Sequence, residues 1–276
     1  MDTKKKKLIT KIFNEEIKDF GSQLVKDYSK DGKKLKNIEN KHNNFLISSL
    51  KPEVMVYSAL MRSLDSSLGN RIEEIALKIA KVSGYKVSKG VSGMISQKTI
   101  NTIATLLDAY KDKKKPSVQD LQLIKDSVFS STGTSKFHNS DYLLEKNIED
   151  KKVLSLLELK IGGDLDNKKA RSEKEAILEQ YSILISKYEE ELSDGSIDIN
   201  IYFGTAYNKD NLDAGREKWN AGAVGDFFAY EELLIGKDFW NFICDDTSGW
   251  EFIKSEYKKN SIHIDNALQQ VTSLFK

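Results

Sequence analysis

Three residues near the middle of the chain have the types and spacing to handle a phosphate and a hard metal ion. Asp141 opens the short run Asp141-Tyr142-Leu143-Leu144, and Glu158 and Lys160 close the run Val153-Leu154-Ser155-Leu156-Leu157-Glu158-Leu159-Lys160. Residues two apart on a strand share a face, so Glu158 and Lys160 project together. If the two runs pair as a hairpin, Asp141 arrives at the same end of the sheet. Two carboxylates converging there form an oxygen-ligand site that suits Mg2+, completed by waters and a substrate phosphate. A lysine beside them orients or deprotonates an attacking water, or stabilises the developing charge. That set of groups suits metal-dependent phosphodiester hydrolysis.

A Glu-x-Lys triplet is weak on its own in a chain with 43 Lys+Arg and 42 Asp+Glu, where chance alone supplies such pairs on exposed strands. Three details favour the chemical reading. Glu158 ends a nearly uninterrupted apolar run, where a buried strand is expected and a charge needs a reason. Asp141 lies one hairpin earlier. Gly162-Gly163 follows Lys160 directly and frees space for close approach of backbone or ligand.

Other charged groups admit two readings each. Glu73 borders the helical stripe Ile72, Ile75, Ala76 and Ile79; it is either an auxiliary ligand aimed at a sheet edge or a surface carboxylate. Lys168, Lys169, Arg171 and Lys174 fall on the first two turns of one helix. They suit DNA phosphates, or they form a solvated face paired with Glu173, Glu175 and Glu179. Thr205 to Asn208, at the end of a strand, are candidates for reading bases. Asp164-x-Asp166 begins like a calcium loop, but Lys169 stands where that loop needs glycine, so calcium binding is rejected. The small polar stretch Ser130–Lys136 lacks P-loop glycine spacing and reads as a lead-in to Asp141. A lone Cys244 and scattered histidines give no zinc set and no nucleophile–base order.

The elements that must position these residues are a mixture of helices and strands. Leu8, Ile12, Phe13, Ile17 and Phe20 recur at helical spacing, followed by a polar connection over 30–44. Pro52 starts a helix through about Leu64, and Ser66 or Ser67 caps another ending near Gly84. Residues 85–91 suit a strand, and 95–110 and 117–129 suit helices on either side of a lysine-rich linker. The hairpin takes strands 141–144 and 153–161 around a turn at 145–152. A helix over about 167–192, rich in Ala, Glu, Lys and Leu, precedes the alternating strand Ile197–Phe203. The stretches 224–244 and 250–275 read as further helix. The fold class is therefore α/β, an α+β mixed sheet with helical additions at both ends. The expected domains are an N-terminal helical region, 1–65, and a larger domain, 66–276, with a helical insertion at about 93–130. A net charge of +1 excludes neither DNA nor protein partners, since only a local patch decides phosphate binding. No signal peptide or membrane-length apolar stretch is evident, which points to the cytoplasm and to no membrane partner.

Together these residues look like the PD-(D/E)XK nuclease superfamily, with its helix–strand–strand–strand–helix–strand core. The stretches Leu159–Arg171, Tyr202–Asn208 and Leu233–Phe242 resemble TdeIII-type type II restriction endonucleases, and the similarity runs from about Pro52 onward. The resemblance implies Mg2+-dependent cleavage of double-stranded DNA by a homodimer at a palindromic site similar to GGNCC. It also implies a cognate DNA methyltransferase that acts on the same site without stable binding. It assigns Asp141 and Glu158 as metal ligands, Lys160 as the catalytic lysine and Glu73 as an auxiliary. Ser140 stands where the superfamily often has proline. The competing expectation is a non-catalytic DNA-binding or protein-interaction module on a nuclease-like fold.

Overall fold

A computed structural model describes residues 1–40, 43–45, 51–128, 133–138 and 142–274. The chain divides into two compact units, Met1–Val82 with Ser248–Lys276, and Ser83–Thr247. The division falls later than the expected boundary after residue 65, and it groups the C-terminal helices with the N-terminal ones.

The helical unit begins with α1 (Thr3–Tyr28), α2 (Lys33–Asn40) and α3 (Pro52–Val82). Ile9, Phe13, Ile17, Phe20, Leu24 and Tyr28 recur every three or four residues along α1 and are buried. Part of the expected polar connection is helical, because Ile38 of α2 packs with Tyr28, Met55 and Leu60. The two helices expected over 52–80 are one. Ser66, read as a cap, instead donates its hydroxyl to the Arg62 carbonyl at 3.1 Å, which keeps it inside a continuous helix. Buried Glu16 of α1 accepts from Arg71 of α3 at 2.6 Å and also pairs with Lys78.

The second unit is built on a sheet. In chain order it contains β1 (Lys86–Ser88), β2 (Val91–Ser96), α4 (Gln97–Lys111) and α5 (Leu121–Val128). Then come β3 (Gly133–His138), β4 (Tyr142–Ile148), β5 (Lys151–Lys160) and α6 (Asn167–Lys187). The unit closes with α7 (Glu189–Asp194), β6 (Ile197–Thr205), α8 (Gly222–Gly225), β7 (Leu233–Ile235) and α9 (Lys237–Cys244). The helical unit then receives α10 (Gly249–Asn260) and α11 (Ile262–Ser273).

Among the described residues the main sheet has the order β1-β4-β5-β6-β7, and β2 and β3 form a separate pair. β4 and β5 are the expected antiparallel hairpin, with Tyr142 opposite Leu157 and a shorter turn than anticipated. β5, β6 and β7 are parallel, and α6 is the crossover helix between β5 and β6. This is the mixed α/β architecture expected from the sequence. Its core gathers Leu154 and Leu156 of β5, Ile201 and Phe203 of β6, and Ile177, Leu178 and Tyr181 of α6. Gly93 of β2 lets Ile183 of α6 come close, because a Cβ there would collide with the isoleucine branch. No helix among the described residues is long and apolar enough to cross a membrane.

Three strands had no clear sequence signal. β2 covers Val91–Ser96, where the sequence suits a strand ending at 91 and a helix from 95. β7 is three buried residues without alternation, inside a stretch read as helix. The small polar lead-in becomes β3, paired with β2 from Gly133 opposite Ser96 to His138 opposite Val91.

Candidate active site

The parallel strands β5, β6 and β7 end together, with Lys160 opposite Thr205 and Thr205 opposite Ile235. The carboxyl ends of parallel strands are where α/β sheets place ligands. Glu158 and Lys160 share the face of β5 that carries Leu154 and Leu156, and α6 packs on that side. The strand is buried up to this point, and Glu158 itself is only 8% exposed. A carboxylate so placed needs a cation. Lys160 Nζ lies 2.6 Å from Glu158 Oε1 and 3.1 Å from Glu173 Oε1. Burial works against the charge on Lys160. The charge and hydrogen bond of Glu158, and then those of Glu173, outweigh it and hold the ammonium above the ordinary lysine value.

Glu173 comes from α6, and spacing along the sequence gave no sign of its role. Asp166 caps that helix by accepting from the Lys169 backbone N–H at 2.8 Å, and buried Ala170, Ile177 and Leu178 fix its rotation. Glu173 then faces the end of β5. Two carboxylates from different elements thus converge on one cation. Among the described residues no three His, Cys, Asp or Glu side chains cluster as a metal set.

Other candidates lie on α3, on α6 or outside the described residues. Asp141 lies outside the described residues. Glu73 sits half-buried on α3, in the helical unit. Lys168 and Lys169 are exposed on the first turn of α6, and Arg171 pairs with Asp108 at 2.8 Å.

Three of the expected DNA contacts are buried and have partners within the fold. Lys174 is 1% exposed and lies 2.6 Å from Glu232 Oε2, itself 2% exposed. Burial pulls Lys174 below the ordinary lysine value, and the charge and hydrogen bond of Glu232 offset that only in part. Its spacing from Ala170 and Ile177 puts it on the apolar stripe, a signal that the basic-cluster reading overlooked. Thr205 is fully buried and donates its hydroxyl to the Tyr207 carbonyl at 2.9 Å. Asn208 is buried and organises the following loop. Its amide donates to the Gly215 carbonyl at 2.9 Å, and its oxygen accepts from the Asp210 backbone at 2.9 Å. The polar atoms of all three are used within the fold.

The double glycine also serves the chain itself. A Cβ on Gly162 would stand 2.6 Å from the Tyr207 hydroxyl, and one on Gly163 2.8 Å from Thr205. Gly163 has φ +70°, which favours glycine. The turn after Lys160 is thereby packed tightly under the loop after β6, and the Ala206 N–H reaches the Lys160 carbonyl at 3.3 Å.

A mixed sheet with a Glu-x-Lys at the end of its central strand, backed by a crossover helix, is the layout of the nuclease superfamily that the sequence resembles. A family model described as "Type II restriction endonuclease, HinfI" matches residues 5–261, nearly the whole chain. The chain belongs to that family. It is a restriction endonuclease, hence a nuclease that binds double-stranded DNA. The restriction-endonuclease resemblance read from the sequence is borne out, and the matching model carries the HinfI name. No curated protein matches the chain.

Proposed function

We propose that the end of β5 is the cleavage centre of a type II, site-specific, Mg2+-dependent endonuclease. The observation that carries this reading is the Lys160 ammonium held between Glu158 and Glu173 at the carboxyl end of the parallel strands. The donor set fits a hard divalent cation: the ligands are carboxylate oxygens, and two of them already converge on one positive charge. Glu158 and Asp141 would hold the metal. Asp141 is bonded to Tyr142, whose partner Leu157 directly precedes Glu158, and this supports its inclusion. Bound Mg2+ supplies charge neutralisation at the phosphate and a more acidic water.

The chain's own groups do the rest. Lys160 orients the attacking water and offsets charge developing on the phosphate. Glu173 fixes the ammonium in place. Exposed Lys168 and Lys169, with Arg171, contact the DNA backbone and hold the duplex in register. A palindromic duplex is cut on both strands most simply by a C2 homodimer with one centre per strand. The accompanying methyltransferase and a cytoplasmic location follow from the role in restriction–modification. The resemblance to TdeIII-type enzymes points to a GGNCC-like target; run-off sequencing of the cut ends identifies the site.

The test is incubation with plasmid DNA. Discrete fragments with Mg2+, none in excess chelator, and none from Glu158→Ala support the reading. Retarded but uncut DNA from the wild-type protein in Mg2+ contradicts it and indicates a non-catalytic binder.

A further inference from the structure

The sheet unit holds a second concentration of charge, distinct from the Glu158–Lys160–Glu173 cluster. A cavity of about 510 Å3 opens between the C-terminal end of α4, the first turn of α6 and the segment after α8. Lys111, Lys113, Lys168 and Arg171 line it, against Asp108 and Asp226, so positive charge is in excess. Arg171 lies 2.8 Å from Asp108, and Lys113 lies 3.8 Å from Asp226. Lys111 and Lys168 make no ion pair among the described residues. Buried Phe227 supplies an apolar wall.

The backbone at the end of α4 gives an independent reason to regard the cavity as a binding site. The Lys113 N–H donates to the Tyr110 carbonyl at 3.0 Å and the Lys114 N–H to the Ala109 carbonyl at 3.0 Å. These are the paired bonds of a Schellman helix end, whose left-handed position is ordinarily glycine. Lys113 occupies that position with φ +76°. A side chain there strains the backbone, and such strain concentrates where a residue serves a ligand. What Lys113 contributes is a cation at the mouth of the cavity, with its side chain 81% exposed.

We propose that this cavity is a phosphate subsite for the DNA backbone, separate from the cleavage centre. The inference rests on the reading of the protein as a DNA nuclease. The volume lies within the roughly 300–1,000 Å3 of ligand pockets and admits a phosphate with its flanking sugar. Lys168 precedes Glu173 by about 7.5 Å along the helix axis, which is about two rises of one DNA strand. A duplex whose scissile phosphate sits at Lys160 and whose strand follows α6 towards its first turn would carry a neighbouring phosphate past the cavity.

The test measures affinity for duplexes with and without the recognition site over about 50–200 mM salt, in chelator, for wild type, Lys111→Gln/Lys113→Gln and Lys113→Gly. The double variant should bind both duplexes more weakly by a similar factor, with a salt slope shallower by about one to two units, near 0.9 per lost phosphate contact. Lys113→Gly should raise the melting temperature by relieving the strained backbone while still weakening binding. A double variant that keeps the wild-type affinity and slope overturns the subsite and leaves the nuclease reading intact. Wild-type protein that shows no salt-dependent DNA binding overturns both. Thermal shift with inorganic phosphate separates the sources. Stabilisation that the double variant loses while its DNA slope is unchanged identifies a free-anion site and contradicts the DNA assignment.

Discussion

Glu173 and Lys174 are consecutive on α6 and serve two different lysine–carboxylate pairs. Lys160 with Glu158 and Lys174 with Glu232 have the same 2.6 Å separation. The Lys160 side chain is 33% exposed and its ammonium is stabilised by two acids. Lys174 is fully enclosed, stacked 4.8 Å over the Phe228 ring, and burial disfavours its charge. Identical chemistry therefore has two consequences. At the carboxyl end of β5 the pair stays partly open to solvent through Lys160. In the core it locks α6 against the segment before β7, and by holding α6 it helps aim Glu173 at Lys160.

The largest effect expected from this contrast is on catalysis. Lys160→Ala should reduce cleavage on the order of 10³-fold or more while moving the melting temperature by only a few degrees. A Lys160 variant that unfolds would show that both pairs are structural, which would break the comparison. Next in size is stability. Lys174→Met leaves the Glu232 carboxylate buried without its cation and should cost about 3–5 kcal/mol in urea denaturation. Lys174→Met/Glu232→Leu should recover most of that loss, because an apolar pair of similar volume often replaces a buried ion pair without penalty. Since Lys174 is buried and paired with Glu232, the double variant should keep the wild-type salt slope of binding.

Glu173→Gln sharpens the contrast further. It keeps a hydrogen bond to Lys160 but loses the charge, a difference of about 1–1.5 kcal/mol, so cleavage should fall about 10-fold with binding unchanged. An unaltered rate would remove Glu173 from the site. The smallest effect concerns pH. Lys174 is held below the ordinary lysine value of about 10.4, so between its folded pKa and that value the unfolded chain binds the extra proton. Its contribution therefore makes stability rise with pH across that window, and the cost vanishes above it. Denaturation at several alkaline pH values should show a slope that Lys174→Met/Glu232→Leu lacks; equal slopes would contradict the burial argument.

The sequence made the hairpin, α6 and β6 legible because each carries an unambiguous period or a continuous apolar run. β7 was hidden because three apolar residues have no period to read. The break expected at Ser66 failed because a serine hydroxyl can bond back along a helix as readily as it caps one. Glu158 and Lys160 were legible as neighbours because two residues on one strand face need no tertiary information. Glu173 needed the crossover of α6 to bring it back onto β5, and no local pattern encodes that return. Lys174 was counted with the basic cluster, whereas the stripe of Ala170, Ile177 and Tyr181 places it inward. Thr205 ends β6 and Asn208 lies in the loop that follows, and both are buried.

The most direct test of the cleavage centre is single-turnover cutting of plasmid DNA in Mg2+ by Glu158→Ala, with duplex binding measured on the same preparation. The account predicts near-wild-type binding with cleavage reduced on the order of 10³-fold or more. Cleavage at the wild-type rate by a folded, DNA-bound Glu158→Ala protein would contradict it and place the reacting phosphate elsewhere.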